Sequence, residues 1–317
     1  MSKGIDKKRL ALRTLRILIV VVVAYFLYRA IRDARHQLQE FEFSFTNVSI
    51  GWLFVGAVTY LCGMLPMGFY WHRLLLALGQ RPNLWQTLRA YYAGHLGKYV
   101  PGKAMVVVIR TGLLAESGVQ PTVAAISVFA ETLSMMAVGA FLSSLLIAYF
   151  FASHTMLMVM SLVLMLLSGA PTWPPIFHWI VKRFKSKSSD TADQLSGYRW
   201  SLVIFGWVAN LVGWILLTLS LCMVLHAINA ASIEVIAQSY LRCMASVTLA
   251  TVAGFLSLLP GGILVRELVI EELLAPTFNK AIAIISAILL RLTWLFAEVS
   301  IAGIMHFAGK TVGNRGR

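Results

Sequence analysis

Charge is what this chain has least of. Only 13% of its residues are Asp, Glu, Lys or Arg, about half the share of a soluble domain, and 13 acids face 27 Lys and Arg. Cysteine is nearly absent. Cys62, Cys222 and Cys243 fall inside apolar runs, without metal-ligand spacing or a disulfide framework, and read as reduced, buried thiols. The seven histidines form no H-E-x-x-H or related pattern, and no Ser/His/Asp set can be assembled. No metal, cofactor or enzymatic activity is therefore expected. The net charge of +14 is not interleaved with aromatics on a polar face, so nucleic acid is not an expected partner either.

What is abundant is apolar surface: 59% of residues, with a mean hydropathy of +0.77. A soluble chain of 317 residues would leave much of it in water, so the expectation is an all-α integral membrane protein, residues 1–317 forming a single domain. Apolar runs place six spans at Leu15–Tyr28, Trp52–Leu76, Thr122–Phe151, Met156–Ile176, Trp200–Leu225 and Ala281–Phe307. The basic lead MSKGIDKKRLALRTLR has no small-x-small cleavage site after it and reads as the cytoplasmic start of an uncleaved span. The segment after Arg32 reads as interfacial, and the tryptophans and YYAGH aromatics as membrane-interface belts.

Two stretches, Ala90–Ser117 and Ser232–Ala275, are too polar or too interrupted to read as simple spans. Lys and Arg counts favour both termini inside: six before Ile17, three from Arg73 to Arg89, five from Lys182 to Arg199 and three after Phe307. The outer loops hold only Arg29, Arg32 and Arg35. That topology requires both interrupted stretches to be re-entrant. Each half, 1–152 and 153–317, then reads span, span, re-entrant segment, span, as an inverted repeat. A ten-span layout keeps the same orientation, and a single crossing at Ser232–Pro260 would place the carboxyl end outside.

GKYVPGKA, Gly97 to Ala104, fits G-x-x-x-x-G-K but carries Ala104 where a nucleotide loop needs Ser or Thr for Mg²⁺. Pro101 also removes a backbone donor, so an ATP site is rejected. The plain alternative is a cytoplasmic helix-turn with snorkelling lysines. Against it, Gly97, Pro101 and Gly102 break a helix in apolar surroundings, and backbone amides freed there need protein or water around them. Those amides, with Lys98, Lys103 and Arg110, suit an anion such as a lipid phosphate. Lys103 is the leading candidate. Pro260, Gly261 and Gly262 form a second break, followed by Arg266 and Glu267, which read either as a local ion pair or as a site. Glu131, Arg291 and Glu298 lie within spans, where charges face a bundle interior. An Arg291–Glu131 pair is one expectation, and proton coupling through Glu131 the other.

At these motifs the chain resembles the lysylphosphatidylglycerol synthase transmembrane region, the flippase-like membrane family. LGKYVPGKAMVVVIR is similar to its G-K-Y-x-P-G-K…R, LPGGILVRE to its P-G-G-x-G-x-R-E, and ILLRLTW to its R-L-x-x-[YW]. The resemblance implies an inner-membrane bundle with re-entrant helices that moves a phospholipid or polyprenyl-linked lipid between leaflets. By matching positions it carries over Lys98, Pro101, Gly102, Lys103, Arg110, Pro260, Gly261, Gly262, Arg266, Glu267 and Arg291. Two departures stand out. Leu264 replaces a motif glycine, and Thr132 and Met135 replace the Arg and Asp of E-R-x-x-D. Nothing in these residues matches the soluble aminoacyl-transfer domain of full-length multiple peptide resistance factors, so synthesis of a lysyl lipid is not expected of them. The competing expectation is a non-transporting scaffold or assembly subunit for a lipid-modifying or glycosyltransferase enzyme. A homo-oligomer is compatible with both.

Overall fold

The computed structural model describes residues 2–41, 46, 48–100, 104–150, 152, 155–184, 197–257, 259, 262 and 264–314. Helix accounts for nearly all of them, and no strand occurs among the described residues. The order is α1 Ser2–Glu40, α2 Ile50–Ala77, α3 Leu84–His95, α4 Ala104–Ala115, α5 Pro121–Phe150, α6 Thr155–Gly169 and α7 Pro174–Phe184. It continues with α8 Trp200–Ala227, α9 Ile233–Gln238, α10 Tyr240–Leu256, α11 Val265–Phe278 and α12 Lys280–Asn314. In a bilayer every peptide group must find its partner inside the chain, and a helix does this for each residue but those at its ends.

Four helices are long and apolar enough to cross: Ile50–Ala77, Pro121–Phe150, Trp200–Ala227 and Lys280–Ala308. The chain is a multi-pass membrane protein. α2 and α8 form the centre of the bundle. A Cβ on Gly63 would lie 3.1 Å from the Gly213 carbonyl, and one on Gly213 would lie 2.9 Å from the Gly63 carbonyl, so the two backbones touch where neither has a side chain. Close contact through small residues is how helices hold together where lipid removes the hydrophobic drive. Ser220 on α8 adds a hydrogen bond to the Gly56 carbonyl at 2.8 Å.

Three expectations need correction. The first apolar run and the segment after it form one helix, α1, which continues unbroken to Glu40 and buries Ala30, Ala34 and Leu38. The run drawn as Met156–Ile176 is split, because Pro171 and Pro174 cannot donate to a helix ladder. α6 ends at Gly169 and α7 starts again at Pro174. Tyr91 and Tyr92 are core residues, not an interface belt. Exposed Trp173, Trp179 and Trp200 keep the belt reading, while Trp71 and Trp214 are fully buried.

Both interrupted stretches resolve into pairs of short helices that pack against each other, α3 with α4 and α10 with α11. α3 starts on a capping box: Asn83 accepts from the Gln86 amide at 2.8 Å, and Gln86 accepts from the Asn83 amide at 3.0 Å. α11 ends at Asn279, whose φ of +67° turns the chain sharply into α12.

Candidate functional site

At the first break, α3 runs into a tight turn, Leu96–Tyr99, and α4 starts at Ala104 as expected. Pro101, Gly102 and Lys103 lie outside the described residues. The turn rests directly on the start of α4, since a Cβ on Gly97 would lie 2.6 Å from the Val106 amide nitrogen. Arg110, 2% exposed, reaches back from α4 across Gly94 of α3. Its Nη1 donates to Glu131 Oε2 at 2.6 Å, and its guanidinium stacks on Tyr91 at 4.3 Å and Trp71 at 4.9 Å. Tyr91 donates to the other Glu131 oxygen at 3.2 Å. His95 Nδ1 lies 2.9 Å from the Tyr91 carbonyl and 3.2 Å from Arg110 Nη2, and can serve only one of them in a given tautomer.

The neighbouring Lys98 is committed differently. Its ammonium pairs with Glu298 of α12, and Tyr60 of α2 donates to the same Glu298 oxygen. Three aromatic rings surround that ammonium: Tyr99 at 5.2 Å, Tyr60 at 5.7 Å and Trp294 at 6.0 Å. Tyr60 and Trp294 are themselves stacked, with centroids 4.6 Å apart. The Lys98 side chain is 21% exposed and that of Glu298 0%, so the lysine stands in front of the acid.

The second break is built on the same plan. Pro260 and Gly261 lie outside the described residues, but Gly262 has a φ of +71° and Leu264 one of +67°. The left-handed region suits glycine and costs a branched-chain residue about 1–3 kcal/mol. The missing motif glycine at 264 is therefore a strained position, not a neutral exchange. Arg266 lies against Gly254 of α10 and against Gly262; a Cβ on either glycine would sit 2.9 Å from the arginine side chain. Two pairing expectations fail here. Glu267 pairs not with Arg266 but with Arg291 of α12, at 3.4 Å, so Arg291 is not the partner of Glu131. Glu271 meets the exposed Lys280 at 2.7 Å.

Both breaks border one cavity of about 500 Å³. Its wall is mostly aliphatic and aromatic, drawn from α2, α4, α5, α8, α10 and α12, and includes Met64, Val128, Met136, Leu217 and Phe255. Phe129 and Leu256, 63% and 72% exposed, also line it, so the cavity meets the lipid-facing surface between α5 and α10. The charged residues in its described wall are Lys98, Arg110, Glu131 and Arg266. Glu298 is not among them. Lys98 and Arg110 each hold an acid; Arg266 holds none among the described residues. The buried Nε atoms of Arg110 and Arg266 both lack a hydrogen-bond partner there. No group of His, Cys, Asp and Glu among the described residues could hold a metal ion.

Residues 13–302 match the family described as the lysylphosphatidylglycerol synthase TM region. The chain belongs to that family. A search of curated proteins found no match. As a family member it is a membrane domain related to lipid modification or flippase-like function. Sequence reasoning placed Lys98, Arg110, Glu131, Arg266, Glu267, Arg291 and Glu298 among the site candidates, and the structure brings Lys98, Arg110, Glu131 and Arg266 to one wall. It missed Tyr60, Tyr91, Gly254 and Trp294. Trp294 sits between Arg291 and Glu298, and Gly254 precedes the second break by one turn and a half; both positions carried a signal.

Proposed function

We propose that this chain is a lipid translocase of the inner (cytoplasmic) membrane. It moves a phospholipid or polyprenyl-phosphate-linked lipid between leaflets without catalysing a chemical step. One observation carries the reading: Arg266, a cation without an acid partner among the described residues, faces an apolar cavity that reaches the lipid surface. An unpaired buried cation is costly, so a site that retains one is suited to an anion that arrives with its own apolar tail. The headgroup phosphate would sit at Arg266 and the acyl or polyprenyl chain would leave past Phe129 and Leu256.

In this reading six spans, α1, α2, α5, the broken run α6–α7, α8 and α12, enclose two re-entrant hairpins, α3/α4 and α10/α11. The four hairpin helices reach at most 17 residues, about 26 Å, against a hydrocarbon core of about 30 Å. The inverted repeat is supported by equivalent roles in the two halves. In each, a helix after the break is tied to the next long helix by a buried ion pair, with the charges exchanged: Arg110–Glu131 and Glu267–Arg291. In each, an arginine lies across a glycine of the helix before the break. The two second spans, α2 and α8, meet at Gly63 and Gly213. The excess of Lys and Arg in the proposed inner loops favours cytoplasmic termini.

The test is leaflet exchange of an acyl-labelled phosphatidylglycerol in vesicles containing the purified chain. Arg266→Ala should lower the exchange rate at least tenfold at unchanged helical content. Equal rates for Arg266→Ala and the unaltered chain would remove Arg266 from the site; no exchange above protein-free vesicles by the unaltered chain would remove the translocase reading and leave a scaffold role.

A further inference from the structure

The surroundings of Lys98 define which headgroups the cavity accepts. Three ring faces and a carboxylate converging on one ammonium are the features of an ammonium-binding cage. Tyr60, Tyr99, Trp294 and Glu298 make that cage. Its occupant is the chain's own lysine, which lines the cavity, whereas Glu298 is fully buried and absent from the cavity wall. The other acid, Glu131, is bonded by Arg110 and by Tyr91. We infer that Lys98 plugs a preformed ammonium cage and thereby restricts the cavity to lipid headgroups that carry a phosphate and no amine.

The argument is one of available partners and rests on the translocase reading. A headgroup amine entering the cavity finds both carboxylates engaged and three cations, Lys98, Arg110 and Arg266, on the described wall. A phosphate finds Arg266. The described charged wall residues sum to three positive and one negative, so an anion is favoured and a headgroup with its own positive charge is opposed. Removing the Lys98 ammonium would reverse that preference, because it leaves Glu298 and the three rings without a cation. Lys98 is thus a specificity-determining residue, separate from the phosphate contact.

Two measurements test this. In the first, thermal unfolding of purified Lys98→Met is followed in methylammonium chloride and in sodium chloride of equal ionic strength. Methylammonium should raise the midpoint of Lys98→Met and leave the unaltered chain and the double variant Lys98→Met/Glu298→Gln unmoved. The absence of a selective rise overturns the cage. In the second, vesicles report exchange of acyl-labelled phosphatidylglycerol and phosphatidylethanolamine. The unaltered chain should prefer phosphatidylglycerol by at least about tenfold, equivalent to about 1.4 kcal/mol, and Lys98→Met should bring the two rates within about twofold. Equal handling of both lipids by the unaltered chain overturns the inference. If the unaltered chain moves neither lipid, the translocase reading fails, and the methylammonium result still decides the cage. Soluble glycerol phosphate should compete poorly with phosphatidylglycerol; equal competition would make the ligand a free phosphate ester and overturn the lipid assignment.

Lys98→Met leaves Glu298 buried without a counter-charge and could fail to fold. Glu298→Gln covers that case, because it keeps the side-chain shape and releases Lys98 into the cavity. It should tighten phosphatidylglycerol binding severalfold, and unchanged binding would overturn the plug.

Discussion

The two helix breaks share a plan and differ in one partner. At the first, Arg110 crosses a glycine and ends on Glu131, between Tyr91 and Trp71. At the second, Arg266 crosses a glycine and ends on no acid among the described residues. The next residue, Glu267, ties the second hairpin to the bundle instead, through Arg291. The first break thus spends its arginine on holding the fold, whereas the second divides the labour between two neighbouring residues and leaves its arginine without an acid among the described residues. A shared plan does not assign a role; the presence of a counter-charge does.

Substitutions that blur this difference should have graded effects. Arg110→Met leaves Glu131 buried with only the Tyr91 and Thr132 hydroxyls, and should cost about 3–5 kcal/mol, measured by denaturant unfolding in micelles. Arg266→Ala should change stability by no more than about 1 kcal/mol in the same assay; a loss as large as that of Arg110→Met would make the two arginines equivalent. Arg291→Met removes a longer pair, 3.4 Å against 2.6 Å, and should fall between them, at about 2–3 kcal/mol. Gly94→Ala and Gly254→Ala push a methyl against the arginines, with unrelaxed approaches of 2.3 and 2.9 Å. Each should cost about 1–3 kcal/mol, the first more than the second. Leu264→Gly acts in the opposite direction: it removes a left-handed leucine and should stabilise the chain by about 1 kcal/mol, read as a higher unfolding midpoint.

Both breaks were legible because Gly and Pro inside apolar runs have few other meanings, and the buried charges because their cost in a membrane singles them out. Their pairing was not. Spacing says which face of α12 carries Arg291, but the helix opposite that face is α11, folded back by the left-handed turn at Asn279. No periodicity records that reversal. The cage around Lys98 was hidden for a related reason: Tyr60 and Trp294 come from α2 and α12, more than 230 positions apart in the chain, and aromatics in apolar runs usually face lipid headgroups. The break in the fourth span was visible in Pro171 and Pro174, yet total hydropathy alone extended the run across them.

The glycine cradle of Arg266 has a kinetic consequence. An arginine on a surface has many rotamers to surrender before it can grip an anion, and losing them costs up to about 2 kcal/mol. Pressed between Gly254 and Gly262, this stem has already surrendered them during folding. In the proposed translocase a headgroup would therefore be caught without a slow rearrangement, and let go without one, which is what a carrier needs more than it needs tight binding.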